Sequence, residues 1–236
     1  SGQYGFNGGG NGNTVGTNTY STNVGGSGNT VSGQYGFNGG GSSNSVTTQY
    51  GVNGGGSSNL VQTNYGVCGG GLDNTVAGRN AVVPGGARAV AERYGEFAMA
   101  SFKFLNNGDA QTGHVRAGAA TSSTDQTELF LDDNDDQFTL ADNDAFTCRI
   151  YLTGAQADGS MLRYSREVCI SRQGSTTALE GSVATLGTDY ANGNFGSPTW
   201  TIDADDTNEA LRLRITAGNA TATRWLARIE YEKINY

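Results

Sequence analysis

Over its first ninety residues the chain repeats one arrangement of apolar and polar positions six times. Copies begin Tyr4-Gly-Phe-Asn-Gly-Gly-Gly, Tyr20-Ser-Thr-Asn-Val-Gly-Gly, Tyr35-Gly-Phe-Asn-Gly-Gly-Gly, Tyr50-Gly-Val-Asn-Gly-Gly-Gly and Tyr65-Gly-Val-Cys-Gly-Gly-Gly, then fade into Asn80-Ala-Val-Val-Pro-Gly-Gly. Each is followed by an Asn-x-Val step, ending at Val15, Val31, Val46, Val61 and Val76. The tyrosines stand at 4, 20, 35, 50 and 65, a period of 15 with one extra residue in the first interval. A period this short predicts a solenoid. Strand alternation puts Tyr35 and Phe37 on one face and Gln34, Gly36 and Asn38 on the other, so Tyr4, Tyr20, Tyr35, Tyr50 and Tyr65 join the five valines as expected packing residues. Two short strands and two glycine corners make one coil, and six coils stacked at about 4.8 Å make a rod about 30 Å tall.

The text changes after residue 91. Residues 92–108 read as a neck, with Glu92-Arg-Tyr-Gly-Glu-Phe-Ala-Met-Ala-Ser-Phe-Lys-Phe as one last strand pair or a short helix. From 109 to 236 about eight strands separated by turn signals are expected, at 111–117, 127–131, 146–153, 162–172, 178–186, 199–202, 210–216 and 224–233. With no persuasive helix, the fold class is all-β: a short-repeat β-solenoid or β-roll stalk, then a β-sandwich or jelly-roll tip.

Composition sharpens the division. Residues 1–91 hold 26 of the 38 glycines, with one acid (Asp73) and two bases, whereas 92–236 carries 12 bases against 21 acids. Neither part offers the basic stripe that nucleic acid requires. No apolar run is long enough to span a membrane, so no membrane insertion is expected. The start at Ser1, without Met, reads as a fragment or processed product. Asp is absent from the glycine turns of five coils, which argues against a calcium β-roll, and no coil position is reliably threonine, which argues against an ice-binding array. Flexible linkers have no reason to keep aromatics in register. Each coil carries only about three sizeable apolar side chains, so one flank stays exposed unless three chains meet around an axis.

The Asn-Ser/Thr-Val steps and Gly-Gly-Gly corners of residues 1–91 resemble the repeats of trimeric adhesin heads and of many phage tail fibres. Within 92–236, Gly95-Glu-Phe-Ala, Gln126-Thr-Glu-Leu-Phe-Leu-Asp132, Asp206-Thr-Asn-Glu-Ala-Leu-Arg-Leu-Arg-Ile-Thr-Ala-Gly218 and Thr223-Arg-Trp-Leu-Ala-Arg-Ile-Glu230 resemble the C-terminal domain of certain tail-fibre proteins. The resemblance implies a homotrimeric virion fibre, extracellular, with a stalk bearing a receptor-binding tip that meets a host-surface glycan or protein. Two alternatives stand beside it. One is a purely structural capsid-decorating fibre or filament subunit; the other is a cellular trimeric adhesin, which calls for an anchor barrel downstream of Tyr236.

Candidate chemistry is sparse, and neither an enzyme nor a cofactor is expected. His114, the sole histidine, lacks a nucleophile elbow around it. Asp132, Asn134 and Asp136 alternate as calcium ligands do, yet Gln137 stands where an EF-hand needs Gly and Asn143 where it needs Glu, so the run reads as a solvated acidic turn. Asp203-Ala-Asp-Asp206 is similar. With 21 acids some carboxylates will always pair as glycosidase acids do, so proximity alone identifies nothing. Tyr190, Asn192, Asn194 and Phe195, with Trp200, form the candidate receptor-contact loop, since aromatic faces beside polar groups suit sugar rings; the opposing expectation is that Trp200 and Trp225 are core. Cys68, Cys148 and Cys169 form no metal spacing. A two-residue turn at Asp158-Gly159 sets Cys148 opposite Cys169 but also Glu167 against Ile150, so free buried thiols and folding in a reducing compartment are expected.

Overall fold

A computed structural model describes residues 4–16, 20–132 and 134–235. The chain is all-β and divides into two compact units, Ser1–Gly113 and His114–Tyr236.

The first unit is a β-solenoid. A representative coil has two two-residue strands, Phe37–Asn38 and Ser45–Val46, with a bridge residue, Ser42, between them. Each pairs in parallel with its equivalent 15 residues on: Phe37 with Val52, Ser45 with Leu60, Ser42 with Ser57. The backbone donors of Phe37, Gly39, Ser42, Ser45 and Thr47 all reach carbonyls of the next coil, at 2.8–3.0 Å. These bonds between coils are what lets strands of only two residues persist.

Positive φ at three places turns the coil, at Tyr35 (60°), at Gly40 and Gly41 (113° and 89°) and at Ser43 (56°). The coil therefore has three corners, where two were expected. At the first and third the amide points backwards, Tyr50 N to Gln34 O (3.0 Å) and Ser58 N to Ser42 O (2.9 Å). Glycine is required at Gly41, where a Cβ would lie 2.0 Å from the Gly56 carbonyl oxygen.

The left-handed corner also corrects the expected faces. Val31, Val46, Val61 and Val76 are fully buried, as their spacing suggested, and Val15 of the first coil is half-buried, but Tyr4, Tyr20, Tyr35, Tyr50 and Tyr65 point outward. Their rings form a parallel stack with centroids 5.0–5.2 Å apart and planes within 9°. Phe37 is also exposed, and the polar neighbour Asn38 is buried in its place. Two asparagine columns fill the interior. In one, Asn23, Asn38 and Asn53 pass side-chain hydrogen bonds from coil to coil at 2.8–3.2 Å. In the other, Asn29, Asn44, Asn59 and Asn74 each donate to a glycine carbonyl of their own coil and to one of the next. The first column ends where Cys68 replaces asparagine, which leaves the Asn53 Oδ1 without a donor. From there Cys68, Val83 and Ala98 make the interior apolar.

The coils continue past residue 91. Phe97–Met99 adds a further strand, with Phe97 beside Val82. Gly95 (φ 62°) takes the tyrosine's corner, and Glu96 takes the buried glycine position. Glu96 is accommodated because Arg93 donates to it at 2.8 Å and the Arg93 backbone amide at 2.9 Å. Burying this acid is tolerable only with that partner.

In the second unit Ala110–Thr121, Thr223–Asn235, Asp144–Gln156, Met161–Gln173 and Thr176–Leu179 lie side by side in that order. A smaller sheet is centred on Ala210–Thr216. Thr199–Asp205 pairs along one edge, and Gln126–Glu128 and Phe138–Thr139 share the other. Alternation is strict in Thr223–Asn235, where Trp225, Ala227, Ile229 and Tyr231 are buried. Phe138 of the smaller sheet meets Phe146 and Tyr231 of the larger at 5.1 and 5.7 Å between centroids, so the apolar faces pack together. The 144–156/161–173 hairpin turns through 157–160, which puts Cys148 opposite Val168 and Thr147 opposite Cys169. All three cysteines are free; Cys68 and Cys148 are buried, but Cys169 is exposed, contrary to expectation. The register that set Glu167 against Ile150 is replaced by one pairing it with Arg149 at 3.0 Å.

Candidate functional site

The expected contact loop lies beside the 161–173 strand, and most of its residues are anchors. Tyr190–Ala191 pairs with Arg163 and Leu162. Asn192 closes the pairing: its side-chain oxygen accepts from Met161 N (2.6 Å), and its amide donates to Met161 O (2.9 Å). The carbonyl of Asn194 accepts from Asn219 Nδ2 at 2.6 Å. Phe195 is buried against Trp225, at 6.2 Å between centroids, and is not a surface aromatic. Of the two aromatics, Tyr190 is the one presented to solvent, 52% exposed, and Asn192 and Asn194 are exposed beside it.

Beside it stands a cluster that hydrophobicity and turn signals did not reveal. Trp200 stacks on Tyr164 (5.8 Å, 14°), and the Arg166 guanidinium lies 5.4 and 5.5 Å from the two rings. Asp189 holds Arg166 through two bonds of 2.6 and 2.7 Å. That bidentate pair keeps the Asp189 carboxyl below its ordinary range and raises Arg166 further. The cluster is a surface of half-buried rings and a fixed cation, suited to contact and not to proton transfer.

Four acids of the two acidic runs are held by backbone amides, side chains or arginines. Asp132 Oδ1 accepts the amides of Asn134, Asp135 and Asp136 at 3.0 Å each, a self-capped turn; Asp133 lies outside the described residues. No group of three or more His, Cys, Asp or Glu able to hold a metal occurs among the described residues. Asp203 pairs with Arg212 (3.0 Å) and Arg214, and Asp205 caps the turn through Asn208 and Thr207. Asp206 accepts from Thr177 N at 2.6 Å. His114 lies on the Ala110–Thr121 strand, its pKa lowered by burial, Arg116 and Arg228.

These caps give the fold an acid-sensitive edge. Asp132 is lowered by the amides at 134–136, Asp189 by Arg166 and Asp205 by Asn208. A folded-state pKa below the ordinary value near 4 contributes stability above that range and loses it as pH falls through the folded value. Asp136 opposes them, raised by burial and by Asp132 and Asp135. The melting temperature is expected to hold near neutral pH and to drop below about pH 4; a flat profile down to pH 2 would show that the caps contribute nothing.

No family model matches the chain, and no curated protein matches it. Among solved structures it is similar to the tailspike protein gp49 from Acinetobacter baumannii bacteriophage Fri1, a capsular polysaccharide depolymerase. The identity is 9%, the TM-score 0.32, and the match covers 89% of this chain and 40% of that one. The chain thus spans well under half the length of that tailspike. No helix among the described residues is long and apolar enough to cross a membrane.

Proposed function

We propose that the chain is a virion fibre protein that assembles as a homotrimer, with the solenoid as stalk and the C-terminal unit as a β-sandwich tip for host-surface attachment. The observation that carries this reading is the apolar column left outside the coils. Tyr4, Tyr20, Tyr35, Tyr50 and Tyr65 are 40–69% exposed, and Phe6 and Phe37 stand beside them at 55% and 38%. An aromatic flank repeated over the coils is far more than a soluble monomer ordinarily leaves to water. A copy of the same repeat has matching pitch along its whole length, so self-association covers the flank in register. The tip is proposed to bind and not to cleave, a reading supported by Asp132, Asp203 and Asp205 being held by turn amides, Asn208 and arginines.

Light scattering on the purified chain is expected to give three copies; a stable monomer overturns the assembly. Added in excess, the chain is expected to block adsorption of the parent virus to its host, with no oligosaccharide released from host capsule or lipopolysaccharide. Normal adsorption in its presence would favour the purely structural reading.

A further inference from the structure

The arginines of the second unit are not distributed as its acids are. Of its ten basic residues, seven have a carboxylate partner within ion-pair distance. Arg116, Arg163 and Arg224 have none among the described residues, and all three are exposed. All three stand on the outward face of the larger sheet. Arg116 alternates with buried Val115 and Ala117, Arg224 with buried Thr223 and Trp225, and Arg163 follows buried Leu162. Register fixes their neighbours: Arg224 and Met161 flank Ala155, while Leu226 and Arg163 flank Thr153. Two free guanidinium groups thus occupy one diagonal of a checkerboard, and two apolar side chains, each about half exposed, occupy the other.

Further along the same face the charges balance, with Arg149 bonded to Glu167 and Arg228 to Glu230 at 3.0 Å. Arg116 lies further along, near Arg228. At the end near the 157–160 turn Arg163 and Arg224 stay without a carboxylate partner, since the turn's own Asp158 accepts from Ser160 N at 2.9 Å, all in a chain of net charge −8. At that end Ala120, Ala155, Ala157 and Ala222 leave a depression of about 500 Å³, with Arg224 on its wall. That volume is in the range of small-molecule sites. Gln156 and Thr223 line it as well, bonded to each other at 3.0 Å.

We infer that this face binds an acidic polysaccharide, a polymer of sugars bearing carboxylates, with Arg163 and Arg224 as its carboxylate ligands. The inference rests on the attachment reading above and names the chemistry of the receptor. An unpaired guanidinium donates two parallel hydrogen bonds to a carboxylate. Met161, Leu226 and the alanines offer apolar contact to the C–H faces of sugar rings. Arg163 and Arg224 are two strands and one same-face step apart, roughly 12 Å between Cα atoms, which favours repeated carboxylates over one small anion. Nucleic acid calls for a denser basic stripe than three arginines separated by apolar residues.

Calorimetric titration of the full chain with an alginate oligosaccharide, a polyuronate, is expected to show binding that weakens as salt is raised. Neutral dextran of equal length is expected not to bind. The paired substitution Arg163→Gln/Arg224→Gln should weaken alginate binding by roughly tenfold or more, as loss of charge-assisted hydrogen bonds does, while Arg79→Gln in the solenoid leaves it unchanged. Unaltered binding by the pair, no binding by the wild type, equal binding of dextran, or equally tight binding of single-stranded DNA would each overturn the inference. The two readings separate in the adsorption assay. If the Arg163→Gln/Arg224→Gln chain still blocks virus adsorption, attachment stands and this site falls; if the wild-type chain does not block it, the attachment reading fails.

Discussion

Asn59→Ala is expected to cost the solenoid about 4 kcal/mol, from two buried polar groups left unmatched at about 1–3 kcal/mol each. Asn59 is 1% exposed and sits mid-column. Its Nδ2 donates to Gly55 O at 2.8 Å and Gly71 O at 3.0 Å, and its Oδ1 accepts Asn74 N at 3.1 Å. Gly71 O keeps a second donor, Ser57 N, but the Asn74 amide and the Gly55 carbonyl lose theirs. Asn59→Asp separates hydrogen bonding from volume. A carboxylate can still accept from Asn74 N but faces two carbonyls to which it cannot donate, so it should be the worse variant at neutral pH. Burial would raise its pKa, so part of the loss should return as pH falls and the acid protonates. Both tryptophans, Trp200 and Trp225, lie in the second unit, so solenoid unfolding is to be followed by tyrosine emission and far-ultraviolet dichroism. A change below about 1 kcal/mol for Asn59→Ala would mean that water replaces the amide, and that the ladder is not what aligns the coils.

That ladder is also where reading the sequence went astray. The period of 15 was legible, because repetition survives any error about which side chain faces where. The faces were not. Alternation assigns the apolar residue inward, yet Tyr35 occupies a left-handed corner and each strand is two residues long, so the corner and not the alternation decides direction. An amide is a costly interior group when alone; stacked on an identical amide one coil away it is satisfied, and only the repeat itself signals that. Glu96 was hidden for a similar reason, since nothing local announces that Arg93 will neutralise it inside the last coil.

In the second unit alternation worked where strands are long. The expected 210–216 strand is Ala210–Thr216, and 224–233 became Thr223–Asn235. It failed where strands are short. Phe138–Thr139, in the aromatic core, sits among acids that carry no strand signal, and the expected 178–186 strand is two pieces, Thr176–Leu179 and Ala184–Thr185. In the candidate site Tyr190 is a surface aromatic, as its polar neighbours suggest, whereas Phe195 turns into the core against Trp225. The Trp200–Tyr164–Arg166 stack and the cationic checkerboard both depend on cross-strand register, which residue types alone do not specify.

Trp225→Ala should be the largest single loss in the second unit, about 3–5 kcal/mol, the usual range for removing a buried Trp. The indole is 3% exposed, donates from Nε1 to Thr121 Oγ1 at 2.9 Å and packs against Phe195. Its seat is made by an absence: a Cβ at Gly154 would lie 2.4 Å from the ring. Glycine is needed there for close approach, not for its backbone freedom. The two positions are therefore coupled. Gly154→Leu alone should be strongly destabilising by overpacking, but in the Trp225→Ala background the leucine enters the vacated volume and should recover part of the loss. With Trp225 gone, Trp200 is the remaining tryptophan, so denaturant unfolding followed by its emission measures this unit directly. Additive costs in the double variant would show that the side chain of residue 154 does not share the indole's cavity. Recovery of 1 kcal/mol or more, about the coupling expected of residues in contact, would place the indole over Gly154 and tie the Phe195 loop to the sheet through it.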